Sequence, residues 1–173
     1  MLEAVIFVVF PFCMAFAAIS DTLSMTIANR ISAILVLTFV VVAPLSGMGW
    51  AAFGWHFAAA GLVLAATFCL FAMGGMGGGD AKLLAATALW MGMGPALFEY
   101  LVYTSLAGGA LTLLILAYRG SPFAALTGHN MFLRHFASNS SGVPYGIALG
   151  IGGMIAFSDS PLVEWALGKA VGQ

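Results

Sequence analysis

Charge is what this sequence has least of. Five Lys and Arg and six Asp and Glu make up 6% of its 173 residues, where a soluble domain carries charge on roughly a quarter. So few charges cannot cover a water-soluble globule, whereas lipid tails accept apolar side chains directly. The scarcity therefore excludes a soluble fold. The formal net charge of -1 excludes both the basic excess of a nucleic-acid binder and an acidic tail. Cysteine is scarce too. Cys13 and Cys69 both lie inside apolar runs and neither belongs to a CxxC pair, which excludes a disulfide scaffold and a cysteine zinc site and leaves them as lipid- or helix-facing fillers. His129 and His135 do not share a helix face, and no HExxH accompanies them. No metal and no cofactor is expected.

What the chain has instead is hydrophobicity: 62% of residues are apolar and the mean hydropathy is +1.09. This pattern predicts an all-α, polytopic transmembrane bundle of about six spans, with residues 1–173 forming one membrane-embedded domain. The apolar stretches run from about Leu2 to Ile19, Ile31 to Leu45, Gly54 to Met73, Ala81 to Met93, Ala96 to Tyr118 and Val143 to Phe157. Crossing takes roughly 20 residues, so the fourth and sixth are short. Ala15-Phe16-Ala17 resembles a signal cleavage site, but the leading residues carry Glu3 and no Lys or Arg, so the first stretch is expected to persist as a helix. Ser160-Pro161 opens a further short helix on the outer surface.

The few charges carry orientation. Arg30, Lys82, Arg119 and Arg134 follow the odd-numbered stretches, while the opposite side has only Lys169. Excess Lys and Arg marks the cytoplasmic face. Both chain ends are thus expected outside, and Trp50, Trp55, Trp90 and Trp165 read as an aromatic belt at the outer interface. The loop from Gly120 to Gly142 is expected to lie along the inner interface with Phe123, Leu126, Met131 and Phe132 dipped inward. Of the acids, Glu3, Glu99, Asp159 and Glu164 fall outside, and only Asp21 and Asp80 fall inside.

The second of these acids lies in the most unusual segment, Met73-Gly74-Gly75-Met76-Gly77-Gly78-Gly79-Asp80-Ala81-Lys82. Each glycine weakens a helix by about 1 kcal/mol relative to Ala, so a run of them needs a reason. Glycine admits positive φ and lets another backbone pass closely, which would suit an extended peptide lying beside Asp80. Asp80 alone would read as a helix N-cap, and Asn29 as the cap of the second helix. Intramembrane or interfacial acids, however, are expensive and point to function. Two carboxylates a few ångströms apart share one proton. One can act as base toward water while the other donates to a carbonyl oxygen, which is the chemistry of aspartyl proteolysis.

On these residues the chain resembles a type IV prepilin peptidase of the short CpaA/TadV kind, within the GxGD class of membrane aspartyl proteases. Gly77-Gly78-Gly79-Asp80 matches GxGD, and Asp80-Ala81-Lys82-Leu83 matches the D-x-K-L continuation. Asp21 with Ile27-Ala28-Asn29 matches the first aspartate and its I-x-N step, and Val143-Pro144-Tyr145-Gly146 matches the V/I-P-Y-G segment opening the last helix. The resemblance implies Asp21 and Asp80 as catalytic residues, with Gly77, Gly78, Gly79, Lys82 and Tyr145 toward the substrate. The implied substrate is a Flp-type prepilin or pseudopilin precursor, met laterally in the lipid of the inner membrane and cut at its cytoplasmic face. Ala28 stands where relatives often have Pro, and Thr22-Leu23-Ser24 where they carry basic residues. Nothing corresponds to the paired-cysteine insert of the longer, methylating relatives, so cleavage without N-methylation is implied.

Two other classes are open to the same residues. Asp21 and Asp80 could serve a small proton- or ion-coupled transport component, although relay acids belong along a through-path rather than at one interface. The chain could also be a non-catalytic assembly subunit with a glycine hinge. Association into a homo-oligomer is compatible with the sequence and not required by it.

Overall fold

The computed structural model describes residues 1–122, 142–170 and 172. Among these residues the secondary structure is helical throughout: α1 (Leu2–Ser24), α2 (Asn29–Leu45), α3 (Trp50–Ala72), α4 (Gly78–Met91), α5 (Pro95–Arg119), α6 (Gly146–Phe157) and α7 (Pro161–Ala170). The boundaries have local causes. Gly74, at φ 75°, and Gly92, at φ 69°, leave α3 and α4 through left-handed backbone that a side chain disfavours. Pro95 opens α5 at a first turn that needs no N–H.

α1, α3 and α5, of 23, 23 and 25 residues, are long and apolar enough to cross a membrane. α6 and α7 bend by 46° at their junction, and the pair would make a fourth such span. α2 is apolar but shorter, at 17 residues. The loop expected along the inner interface, with His129, His135 and Arg134, lies outside the described residues except at its ends.

The short α4 is the centre of the fold. Every residue from Leu83 to Met91 is buried, and α2, α3, α5 and α6 all pack on it. A helix apolar around its whole circumference has no solvent or lipid face to keep, so it belongs inside. Elsewhere small residues let helices close in. A Cβ on Gly150 would lie 3.3 Å from the Met14 carbonyl oxygen, so α6 meets α1 nearly backbone to backbone.

One member of the expected aromatic belt is no belt residue. Trp90 is fully buried, donates from Nε1 to the Leu35 carbonyl at 3.1 Å and contacts the rings of Phe10, Phe39 and Phe157. Its place on α4 takes it out of the interface that its distance from the charged loops suggested. Trp50 and Trp55 are exposed, as anchors would be, and Trp165 sits under Lys169 Nζ at 5.0 Å. Cys13 faces inward and Cys69 outward, both free.

Candidate active site

Successive helices from α1 to α6 reverse direction, so the end of α1 and the starts of α2, α4 and α6 gather at one end of the bundle. Glu3 at the other end lies 3.7 Å from Lys169 Nζ of α7. Asp21 occupies the last turn of α1 and is 5% exposed. Its backbone carbonyl accepts the N–H of Met25 at 2.8 Å, and Met25, with φ 52°, turns the chain out of the helix. Hydroxyl groups fasten this turn: Ser20 Oγ donates to the Thr26 carbonyl at 3.1 Å, and Ser24 Oγ lies 2.8 Å from Thr26 Oγ1. The turn delivers Ile27, buried, to the glycine run of α4.

The carboxylate of Asp21 is held from across the bundle. Its Oδ2 accepts the backbone N–H of Gly146, the first residue of α6, at 2.7 Å. The first N–H groups of a helix lack intrahelical acceptors and carry the positive end of its dipole, so they suit an anionic partner. Only glycine fits there. A Cβ on Gly146 would lie 2.7 Å from Asp21 Cβ and 3.1 Å from the Ala17 carbonyl oxygen.

Asp80 is placed by the same kind of device. The N-cap of α4 is Gly77, not Asp80, which stands in the first turn. Its carboxylate folds back over the cap, with Oδ2 2.7 Å from where a Gly77 Cβ would be. An acid at this third helical position that reaches back to the cap follows capping-box geometry. Asp21 ends α1 and Asp80 stands in the first turn of α4, so the two acids lie at the same end of the bundle. The structure thus sets both carboxylates at one end of the bundle, Asp21 against the N-terminus of α6 and Asp80 in the first turn of α4.

The remaining sequence-derived residues divide. Gly79 does permit a close backbone approach, but the backbone is the chain's own: a Cβ there would lie 3.2 Å from both the Cβ and the carbonyl oxygen of Ile27. A Cβ on Gly78 would meet the Phe71 ring at 3.3 Å. The expected capping of α2 by Asn29 is not what forms. Ala28 is the N-cap, and Asn29 Oδ1 instead accepts from Lys82 Nζ at 3.0 Å, tying the starts of α2 and α4 together. Lys82 therefore stands beside the acids bonded to an amide, with no ion pair to either. Tyr145 precedes Gly146 directly, yet its ring packs against Gly108 of α5 and its hydroxyl lies 3.2 Å from Thr112 Oγ1. Its contribution to the site is to fix the start of α6. Gly146 itself, which grips Asp21, carried no role in the sequence reading. Its signal was the step from Pro144-Tyr145 into a helix, where a glycine with a free N–H can serve a carboxylate.

Among the described residues no group of three or more His, Cys, Asp and Glu side chains could hold a metal ion. Two acids held by helix N-termini, with glycines around them, can orient a water molecule and exchange a proton with it. Residues 8–117 match the family model of the Type IV leader peptidase family, a stretch that includes both aspartates but not Gly146. No curated protein and no solved structure matches the chain.

Proposed function

The chain belongs to the type IV leader peptidase family, and from that premise we propose that it is a membrane aspartyl endopeptidase in which Asp21 and Asp80 activate water. The observation that carries the reading is that these two acids, remote in sequence, stand at one end of the bundle, Asp21 held by the Gly146 N–H and Asp80 in the first turn of α4. One carboxylate takes a proton from water as its oxygen bonds to the scissile carbonyl carbon. The other, protonated, donates to the carbonyl oxygen. The tetrahedral intermediate then breaks its C–N bond as the carboxyl that took the proton from water gives it to the leaving nitrogen. A leader with a new carboxylate and a mature chain with a new amine result.

The substrate in this proposal is a Flp-type prepilin or pseudopilin precursor, its basic leader on the cytoplasmic side of the inner membrane and its apolar helix in the lipid. Arg30, Lys82 and Arg119 at the acid-bearing end support that orientation, and a six-span topology places both chain ends outside. The chain passes from α1 to α2 through residues 25–28 alone, which leaves no room for the insert of methylating relatives and supports cleavage without N-methylation. The test is cleavage of a synthetic precursor by the purified full chain, with the new N-terminus read by mass spectrometry. Cleavage at one bond, lost with either aspartate, is the expected result; an intact precursor overturns the proposal.

A further inference from the structure

α2 and α3 both pack on α4 but scarcely touch each other. Between them lies an open groove of about 590 Å³, floored by α4 from Lys82 to Leu89. Its polar end is Lys82, one residue beyond Ala81 from Asp80, so the groove leads to the candidate active site.

Three features of the groove have no explanation in the fold. Small residues build much of it, among them Ala33 of α2, Gly61 of α3 and Ala86 of α4, the composition that lets helices approach closely in a membrane. Gly61 stands in the middle of α3, where glycine weakens a helix by about 1 kcal/mol relative to Ala, yet among the described residues nothing lies within 4 Å of the place its Cβ would take. No described neighbour requires the missing side chain; its absence keeps the groove open. Ser32, in the α2 wall, is 8% exposed, and its buried hydroxyl has no hydrogen-bond partner among the described residues. A buried hydroxyl left unpaired costs free energy that a partner in the groove would recover.

We infer that this groove receives the apolar helix of the precursor, an assignment that rests on the peptidase reading above. A lipid chain would fill the apolar space but offers Ser32 neither donor nor acceptor, and it gains nothing from walls of Ala and Gly. A helix packs closely on such walls, and its backbone carbonyl oxygens, with a second lone pair each, can accept from Ser32. Seated along α4, its end at Lys82 would hand the extended segment preceding it to Asp80 and Asp21, so docking would set which bond reaches the two acids.

The experiment compares two substrates of the full chain in lipid nanodiscs: a precursor with its apolar helix, and a short peptide spanning only the leader and the scissile bond. Gly61→Leu is expected to lower the ratio of kcat/KM for the precursor to that for the peptide about tenfold, through KM. Gly109→Leu is the control, since Gly109 is exposed on α5 outside the groove and a Cβ there also meets nothing; it should leave the ratio at the wild-type value. An unchanged ratio in Gly61→Leu, as expected for a groove filled by lipid, overturns the assignment, and so does an equal loss toward both substrates. A second measurement does not depend on the variant accumulating. A photoreactive residue in the precursor's helix should attach to α2, α3 or α4 of the wild-type chain at this groove, and attachment only to other helices overturns the assignment. Cleavage of neither substrate by the wild-type chain would instead overturn the peptidase reading itself.

Discussion

Asp21 Oδ2 accepts the backbone N–H of Gly146 at 2.7 Å across 125 residues of chain. The bond makes α6 part of the site although it carries neither acid. An asparagine at 21 would still offer an oxygen to that N–H while losing the proton chemistry. We therefore expect Asp21→Asn and Asp80→Asn each to reach the membrane at wild-type abundance and to cut a synthetic precursor at least about a hundredfold more slowly, the scale of general acid–base catalysis. Near-normal cleavage by either variant would remove the paired-acid mechanism.

Gly146→Ala tests the same bond from its other side. The added methyl would stand 2.7 Å from Asp21 Cβ and 3.0 Å from its Oδ2, so α6 must withdraw and the N–H with it. Overpacking of this kind costs about 1–3 kcal/mol. Cleavage should fall sharply, whereas Gly94→Ala, whose Cβ would meet nothing, should be silent. Comparable activity and thermal stability in the two variants would mean that the grip on Asp21 is unimportant.

The two acids were legible as a pair because direction alternates from helix to helix: a residue ending the first helix and one starting the fourth must share an end. The long helices were legible because their apolar runs exceed the bilayer requirement and stop at Gly, Pro or charge. What settles the details is contact between distant segments, which no local pattern carries. Trp90 has the composition of an interface anchor, and only the burial of α4 on all sides makes it core. Gly79 has the look of a substrate-facing glycine, and only the turn at Ile27 supplies the backbone it actually meets. Asn29 has the propensity of a cap, which its bond to Lys82 overrides.

The Ile27 contact changes what a side chain at 79 should do. Val in place of Gly79 would press on the Ile27 carbonyl oxygen and Cβ, each 3.2 Å from the first added carbon, and neither is a flexible side-chain end. α4 would be pushed off the α1–α2 turn, so Gly79→Val should lose both cleavage and thermal stability. Gly74→Ala meets no atom but sits at φ 75°, where a side chain costs about 1–2 kcal/mol. It should lower stability while the remaining folded protein cuts normally. Activity per folded molecule, measured for both, separates displacement of the site from simple strain.

Trp90→Phe keeps a ring in the core but removes the bond to the Leu35 carbonyl and part of the packing volume. A net hydrogen bond is worth about 1 kcal/mol, and the cavity adds to that. Thermal unfolding in detergent should therefore show a clear loss for Trp90→Phe and almost none for Trp50→Phe, since Trp50 is 79% exposed. Equal, small effects would return Trp90 to the interface.

The orientation of the bundle follows from where its cations stand. Arg30, Lys82 and Arg119 lie at the acid-bearing end, Arg119 through a 3.1 Å bond from Nη2 to the Gly142 carbonyl near the start of α6. At the opposite end Lys169 stands near Glu3, with Asp159 and Glu164 flanking the start of α7. Lys and Arg resist translocation far more than Asp and Glu do, so the first end should face the cytoplasm. Single cysteines can read this out after Cys13 and Cys69 are replaced by Ala. Thr26→Cys, in the exposed turn after α1, should react with a membrane-impermeant thiol reagent only once the cells are opened. Ser158→Cys, exposed between α6 and α7, should react in intact cells. The reverse pattern would put both aspartates on the outer face and out of reach of a cytoplasmic leader; labelling of both sites in intact cells would mean that the two ends of the bundle do not lie on opposite sides of the membrane.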